Sequence, residues 1–186
     1  MRKLIIIFVL LPLLTVSCQQ NRPESSSDDP SVGYDVEERL EELGIKLVIP
    51  NAPTANYLKS KRVGNLIFLS GHGPDKPDGT QVIGRLGEDL SLEEGQEAAR
   101  FTGISLLSSL KAEIGDLNKV KNIVKALGMV NADPSFTNHS QVINGFSDLM
   151  VDVFGENGKH ARSAVGMSSL PSNIAVEIEL IVEIEE

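Results

Sequence analysis

The sequence predicts an α+β domain in which a β-sheet carries its helices on one face. Three observations predict it. Ser91 opens a run with apolar residues at helical spacing, from Ala98 to Ile114, and Gly115 closes it. A second run of the same period, Val142, Ile143, Phe146, Leu149, Met150, Val153 and Phe154, stops at Gly155. Around them lie short segments that alternate with period two, clearest where Val176, Ile178, Leu180 and Val182 share one face and Glu177, Glu179 and Glu183 the other. The resulting order is roughly β-β-β-α-β-α-β-β.

Taken in turn, Glu37 to Leu43 reads as a short helix ended by Gly44. Tyr57 to Lys61 and Asn65 to Ser70 flank Gly64 and predict a hairpin. Ser70-Gly71-His72-Gly73-Pro74 is expected to be a tight irregular loop, and it lacks the Gly-Lys-Ser/Thr ending that a phosphate-binding loop requires. A short strand is expected around Gln81 to Ile83. Ser91 and Glu94 form a capping box, in which each side chain satisfies the other's backbone N–H. Lys121 to Val130, Ala161 to Ser168 and Ile174 to Ile184 complete the strands.

Composition bounds the function. The 186 residues are 41% hydrophobic and 4% aromatic, so one core is built mainly from Leu, Ile, Val and Ala. The net charge of −9, without a basic stripe or stacked aromatics, argues against nucleic acid as a partner. One cysteine, Cys18, excludes an intrachain disulfide and a cysteine-rich metal site. Its surroundings are those of an export signal: Arg2 and Lys3, an apolar run from Leu4 to Leu14, then Thr15-Val16-Ser17 before Cys18. The pattern resembles a bacterial lipobox, with Thr15 where that box usually has leucine, and it assigns residues 1–17 to a lipoprotein signal and Cys18 to lipidation. An ordinary cleaved signal or a short uncleaved anchor is the alternative. Removal of Arg2 and Lys3 leaves 15 basic against 26 acidic residues, a net charge of −11. Residues 18–33, rich in Ser, Asp, Pro and Gln, are expected to form a flexible tether, and residues 34–186 the folded domain. The expected location is a membrane surface facing the periplasm, held by the lipid.

Four stretches resemble one family. They are Tyr57 with Gly64-Asn65-Leu66 and Ser70-Gly71; Val124-Lys125; Asn144; and Ala161-Arg162-Ser163-Ala164-Val165 followed by Leu170-Pro171 and Val176-Glu177-Ile178-Glu179. Together they resemble RidA/YjgF proteins from about Ala52 to Ile184. The resemblance implies a chorismate-mutase-like fold, a homotrimer with ligand clefts between subunits, and hydrolysis of small 2-imino acids to 2-keto acids and ammonia without metal or organic cofactor.

It also implies roles. Arg162 would hold the substrate carboxylate, for which a guanidinium fork is better shaped than a lysine. The backbone N–H of Ala164 would assist it. Glu177, 15 residues after Arg162, would position or activate the attacking water. Tyr57 would close the cleft from the neighbouring subunit, with Ser70 and Asn144 at its edge. The family's common cysteine two residues after the arginine is Ala164 here, which reshapes the pocket. Each residue also has a plainer reading: Arg162 as a surface cation, Glu177 as a solvated strand residue, Tyr57 as hairpin packing, Ser70 and Asn144 as backbone partners. His72, His139 and His160 are too dispersed for a recognisable metal motif. Two functions stand side by side: an imine hydrolase, and a module that binds a small carboxylate without turnover.

Overall fold

The computed structural model describes residues 34–48, 50, 52–53 and 55–185. Cys18, the signal and the tether lie outside them. Helix α1 (Val36–Glu42) is capped by Asp35, whose carboxylate accepts from the Glu37 and Glu38 N–H groups. Strands β1 (Ser60–Val63) and β2 (Leu66–His72) form the hairpin around Gly64, which sits at φ 61°. Helix α2 (Leu92–Ile114), strand β3 (Val120–Asn131), helix α3 (His139–Phe154), strand β4 (Ala161–Met167) and strand β5 (Val176–Ile184) follow.

The five strands form one mixed sheet in the order β1-β2-β5-β3-β4, with β3 and β4 parallel and every other pair antiparallel. Strand β5 is central and alternates cleanly: Val176, Ile178, Leu180, Val182 and Ile184 are buried under the helices, while Glu177 and Glu179 point to the other face. Strand β4 is an edge. The chain reaches β5 from it through the Leu170-Pro171 turn, where Ser172 and Asn173 adopt positive φ.

Helix α2 begins with the capping box at Ser91 and Glu94, and such a cap stabilises a helix by about 1 kcal/mol. It is buried on two sides, against the sheet and against α3. The approach to α3 requires glycines. A Cβ on Gly145 would meet the backbone of Gln96, and a Cβ on Gly103 would lie 2.7 Å from Leu149 Cδ2. Two of its three buried serines turn back onto their own helix: Ser105 and Ser108 donate to Phe101 O and Ile104 O at 3.2 and 2.8 Å.

Three expectations are corrected. Ser70-Gly71-His72 is not loop but the end of β2, which continues through a register shift between Leu69 and His72. This bulge adds a residue and turns His72 inward beneath α2. Gln81 to Ile83 does not form a strand; Gln81 and Ile83 make isolated bridges to Asp75 and Ile174. Strand β1 begins at Ser60, leaving Tyr57 in the bend before it.

The face of the sheet away from the helices keeps apolar side chains. Phe68 is 39% and Val165 41% exposed, with Leu127, Met129 and Ile181 half-buried between them. A cleft of 270 Å³ opens on this face between Lys61, Phe68, Ser70, Lys125, Leu127 and Glu179.

Candidate functional site

Arg162 stands on the edge strand β4, opposite Ala126 of β3, on the helix side of the sheet. Its Nη1 donates to Asn144 Oδ1 at 2.9 Å and to Ser147 Oγ at 3.0 Å, both on α3. Asn144 and Ser147 are three residues apart, so they share one helix face. Ala164, two residues after Arg162, faces the same way and packs against the core.

Behind Ser147 lies His160. The Nδ1 of His160 is 2.7 Å from the Gly158 carbonyl, which only accepts, so Nδ1 carries the proton. Nε2 is then an acceptor for the Ser147 hydroxyl at 3.1 Å. Burial, and then the cations Arg162 and Lys125, hold this imidazole below its ordinary pKa against the opposing pull of the Gly158 carbonyl, and keep it neutral. The ring also meets Phe146 edge-on, with centroids 5.4 Å apart. A shallow cleft of 340 Å³ opens beside this cluster, lined by Ser147, Asp148, Val151, Lys159, His160 and Arg162.

Glu177 lies elsewhere. It stands on β5 opposite Met129, on the face away from the helices. Its carboxylate sits over Gly71, where an added Cβ would collide with Oε1. Burial, and then the neighbouring Glu179, raise its pKa. A carboxylate so placed is a stronger base than a solvated one.

The structure therefore sorts the sequence-predicted residues into two groups. Arg162, Asn144 and Ala164 come together between α3 and β4. Glu177 and Ser70 belong to the opposite face, and within one chain Arg162 and Glu177 do not meet. The Ser70 hydroxyl donates to Leu58 O at 2.6 Å, its N–H to Lys59 O at 3.0 Å. Tyr57 is 49% exposed and joins neither group.

Sequence reasoning missed Ser147 and gave no site role to His160 or to Gly71, the glycine under Glu177. The signals were there: Ser147 lies one helical step from Asn144, and His160 one strand alternation before Arg162. His72, which drew attention as a neighbour of Ser70, is buried structure. Its Nδ1 donates to Ser70 O and its Nε2 accepts from Ser109 Oγ of α2, both at 2.7 Å. Among the described residues, no group of three or more His, Cys, Asp or Glu side chains is placed to hold a metal ion.

Comparison with known proteins gives this geometry its context. Protein TCP17 of Trypanosoma cruzi is 44% identical over 146 residues, 78% of this chain and 91% of that protein. A 2-iminobutanoate/2-iminopropanoate deaminase of Dermatophagoides farinae is 31% identical over 135 residues, 72% of this chain and 89% of the relative. The crystal structure of Atu1372, a protein of unknown function from Agrobacterium tumefaciens, superposes with a TM-score of 0.76 at 42% identity, covering 81% of this chain and 92% of that one. The family model described as "YjgF/chorismate_mutase-like, putative endoribonuclease" matches residues 37–184. With that span matched and the five-stranded sheet in place, the chain belongs to the RidA/YjgF family.

Proposed function

We propose that the protein hydrolyses a small 2-imino acid to the 2-keto acid and ammonia, in clefts formed between copies of the chain in a homotrimer. The observation that carries this reading is the Arg162 guanidinium. Its Nη1 is tied to Asn144 and Ser147, while Nε and Nη2 have no partner among the described residues and form a donor fork for a carboxylate. Glu177 is the second half. In the reaction water adds to the imine carbon while Glu177 takes a proton from it and returns that proton to the nitrogen. The resulting carbinolamine then passes its hydroxyl proton to the nitrogen by the same carboxylate, and the C–N bond breaks to release ammonia and leave the keto carbonyl. No cofactor enters this scheme, in which orientation supplies much of the rate.

The separation of Arg162 from Glu177 within one chain supports the shared cleft. An arginine on an edge strand and a carboxylate on an apolar open face meet when the edge of one subunit lies against the face of the next. The apolar residues Phe68, Val165 and Met129 give that contact its hydrophobic content. The same separation favours a second reading, in which the Arg162 cluster captures a small carboxylate without turnover. A net charge of −9 repels a phosphate backbone and disfavours RNA as the substrate. We also propose that Cys18 is lipidated after removal of residues 1–17, so that the domain is tethered to a membrane surface facing the periplasm.

The test is calorimetric titration with 2-ketobutyrate, pyruvate and benzoate beside a semicarbazide-competition assay for imine hydrolysis. Hydrogen bonds to charged groups contribute about 1.5–3 kcal/mol each, so Arg162→Ala weakens carboxylate binding by at least about tenfold. Arg162→Lys recovers part of the binding because it keeps the charge and loses the fork. Arg162→Ala binding every carboxylate as wild type does would refute the site. Binding without hydrolysis of any imine would establish the second reading.

A further inference from the structure

We propose that Ser147 and His160 are positioning residues that hold the Arg162 guanidinium in one orientation, so that a small carboxylate docks side-on against its Nε–Nη2 edge. This rests on the carboxylate-binding reading above and adds which edge of the guanidinium the ligand meets and what fixes it.

The argument is a count of hydrogens. A guanidinium presents five N–H groups in a rigid plane, two of them on Nη1. Asn144 Oδ1 at 2.9 Å and Ser147 Oγ at 3.0 Å take both. A carboxylate therefore cannot bridge Nη1 and Nη2 without displacing one of these acceptors. The Nε–Nη2 edge remains, with two parallel N–H groups at the spacing of a carboxylate's oxygens.

Ser147 serves as an acceptor only if its single proton points elsewhere, and His160 provides for that. The proton on Nδ1 is committed to the Gly158 carbonyl at 2.7 Å, so Nε2 must accept, and it takes the Ser147 hydroxyl proton. Every bond in the chain from Arg162 through Ser147 and His160 to Gly158 thus runs in one direction. Gly158 is itself fixed by close packing, since a Cβ there would lie 2.8 Å from Val151 N and still nearer the Met150 carbonyl. A helical serine ordinarily turns to the carbonyl one turn back, as Ser105 and Ser108 do. Ser147 instead reaches across to β4 and to the residue before it, and the neutral imidazole gives it a reason to.

The intact protein carrying ¹⁵N-labelled arginine and histidine provides a test that needs no ligand. His160 is expected to be protonated on Nδ1 and bare on Nε2. Rotation about the Arg162 Cζ–Nη1 bond is expected to be slow in the wild type. It becomes fast in Ser147→Ala and in His160→Phe, which keeps the ring packing against Phe146 but removes the acceptor. Ser147→Thr, which retains the hydroxyl, stays slow. In a parallel titration with 2-ketobutyrate, Ser147→Ala weakens affinity about fivefold, the scale of one hydrogen bond, and Ser147→Thr restores it. A proton found on Nε2 of His160, Arg162 dynamics indifferent to Ser147→Ala, or wild-type affinity in Ser147→Ala would each overturn the proposal. A wild type that takes up no 2-ketobutyrate would remove the carboxylate reading and the docking edge with it, while the NMR arm decides the positioning of Arg162 by itself.

Discussion

Replacing Gly71 with alanine is the smallest change that reaches Glu177. A Cβ built on Gly71 lies 2.8 Å from the carboxyl carbon of Glu177 and 3.0 Å from its Cγ, with Oε1 nearer still. Carbon atoms rest at about 3.5 Å or more, so the carboxyl carbon must retreat by roughly 0.7 Å. The backbone itself accepts alanine, since Gly71 is outside the left-handed region where a side chain would be strained. The fold is therefore expected to survive with a melting temperature within about 4 °C of wild type, the scale of 1 kcal/mol for a domain of this size. Catalysis is a different matter, because a misplacement of about 1 Å costs about a hundredfold in rate. Gly71→Ala is expected to lower kcat for imine hydrolysis by roughly 10- to 100-fold in the semicarbazide-competition assay, with 2-ketobutyrate affinity nearly unchanged. Glu177→Gln should lose at least as much, and adding Gly71→Ala to it should change little further, because both act on one group. Gly71→Ala turning over imines at the wild-type rate would refute the placement of the attacking water at Glu177.

Four further outcomes follow from the same structure. Gly145→Ala pushes a Cβ to 2.7 Å from the Gln96 carbonyl carbon, so α2 and α3 must part; the cost is about 1–3 kcal/mol, and an unshifted thermal melt would contradict the close crossing. His72 is buried and His160 half-buried, and desolvation holds both pKa values below 6.5, so the unfolded chain binds more protons than the fold in that range, and stability present above pH 6.5 is lost as pH falls through their folded values. Denaturant titrations at pH 7.5 and 5 check that sign, and equal midpoints would reject it. Light scattering on the protein without residues 1–18 should give about three times the monomer mass, whereas a clean monomer at micromolar concentration would rule out the shared cleft. Cys18→Ala should abolish acyl labelling and release the protein from membranes, and a wild type that takes up no label would end the lipidation reading.

Most of the helical architecture was legible in the sequence because its signals are local. The capping box at Ser91 and Glu94 and the stop at Gly115 mark α2 almost to the residue, and the alternation from Val176 to Ile184 marks the central strand. What failed was β2. A Gly-His-Gly-Pro run reads as a loop because glycine and proline punctuate chains. Here Gly71 is inside the strand for a reason that no local pattern carries: Glu177, more than a hundred positions away, lies over it. His72 misled for the same reason, since its partner Ser109 comes from a helix 37 residues on. The helix N-terminal to the hairpin was legible, but its anchoring was not; Tyr34 and Arg39 both donate to the Asp152 carbonyl at the end of α3.

The division of the site into two faces is the feature that spacing along the chain could least foretell. Alternation alone says that Arg162 and Ala164 share a side of β4 and that Glu177 and Glu179 share a side of β5. It does not say whether those two sides are the same. Strand β3 decides it: Arg162 is opposite Ala126, which is opposite the buried Leu180, whereas Glu177 is opposite Met129. A slip of one residue between β3 and β4 would move Arg162 to the face that carries Glu177, and a single chain would then hold both groups on one surface. The register that forms instead is enforced by packing. Gly128 sits under Ile143 with no room for a side chain, and its partner on β4, Ala164, packs against the same core. Arg162 is thereby turned toward Asn144 and Ser147, out of reach of its own Glu177. A hydrolytic site that needs both groups must take one from each of two chains. The dependence on assembly proposed for this protein thus follows from which residue of β3 lies beside Arg162.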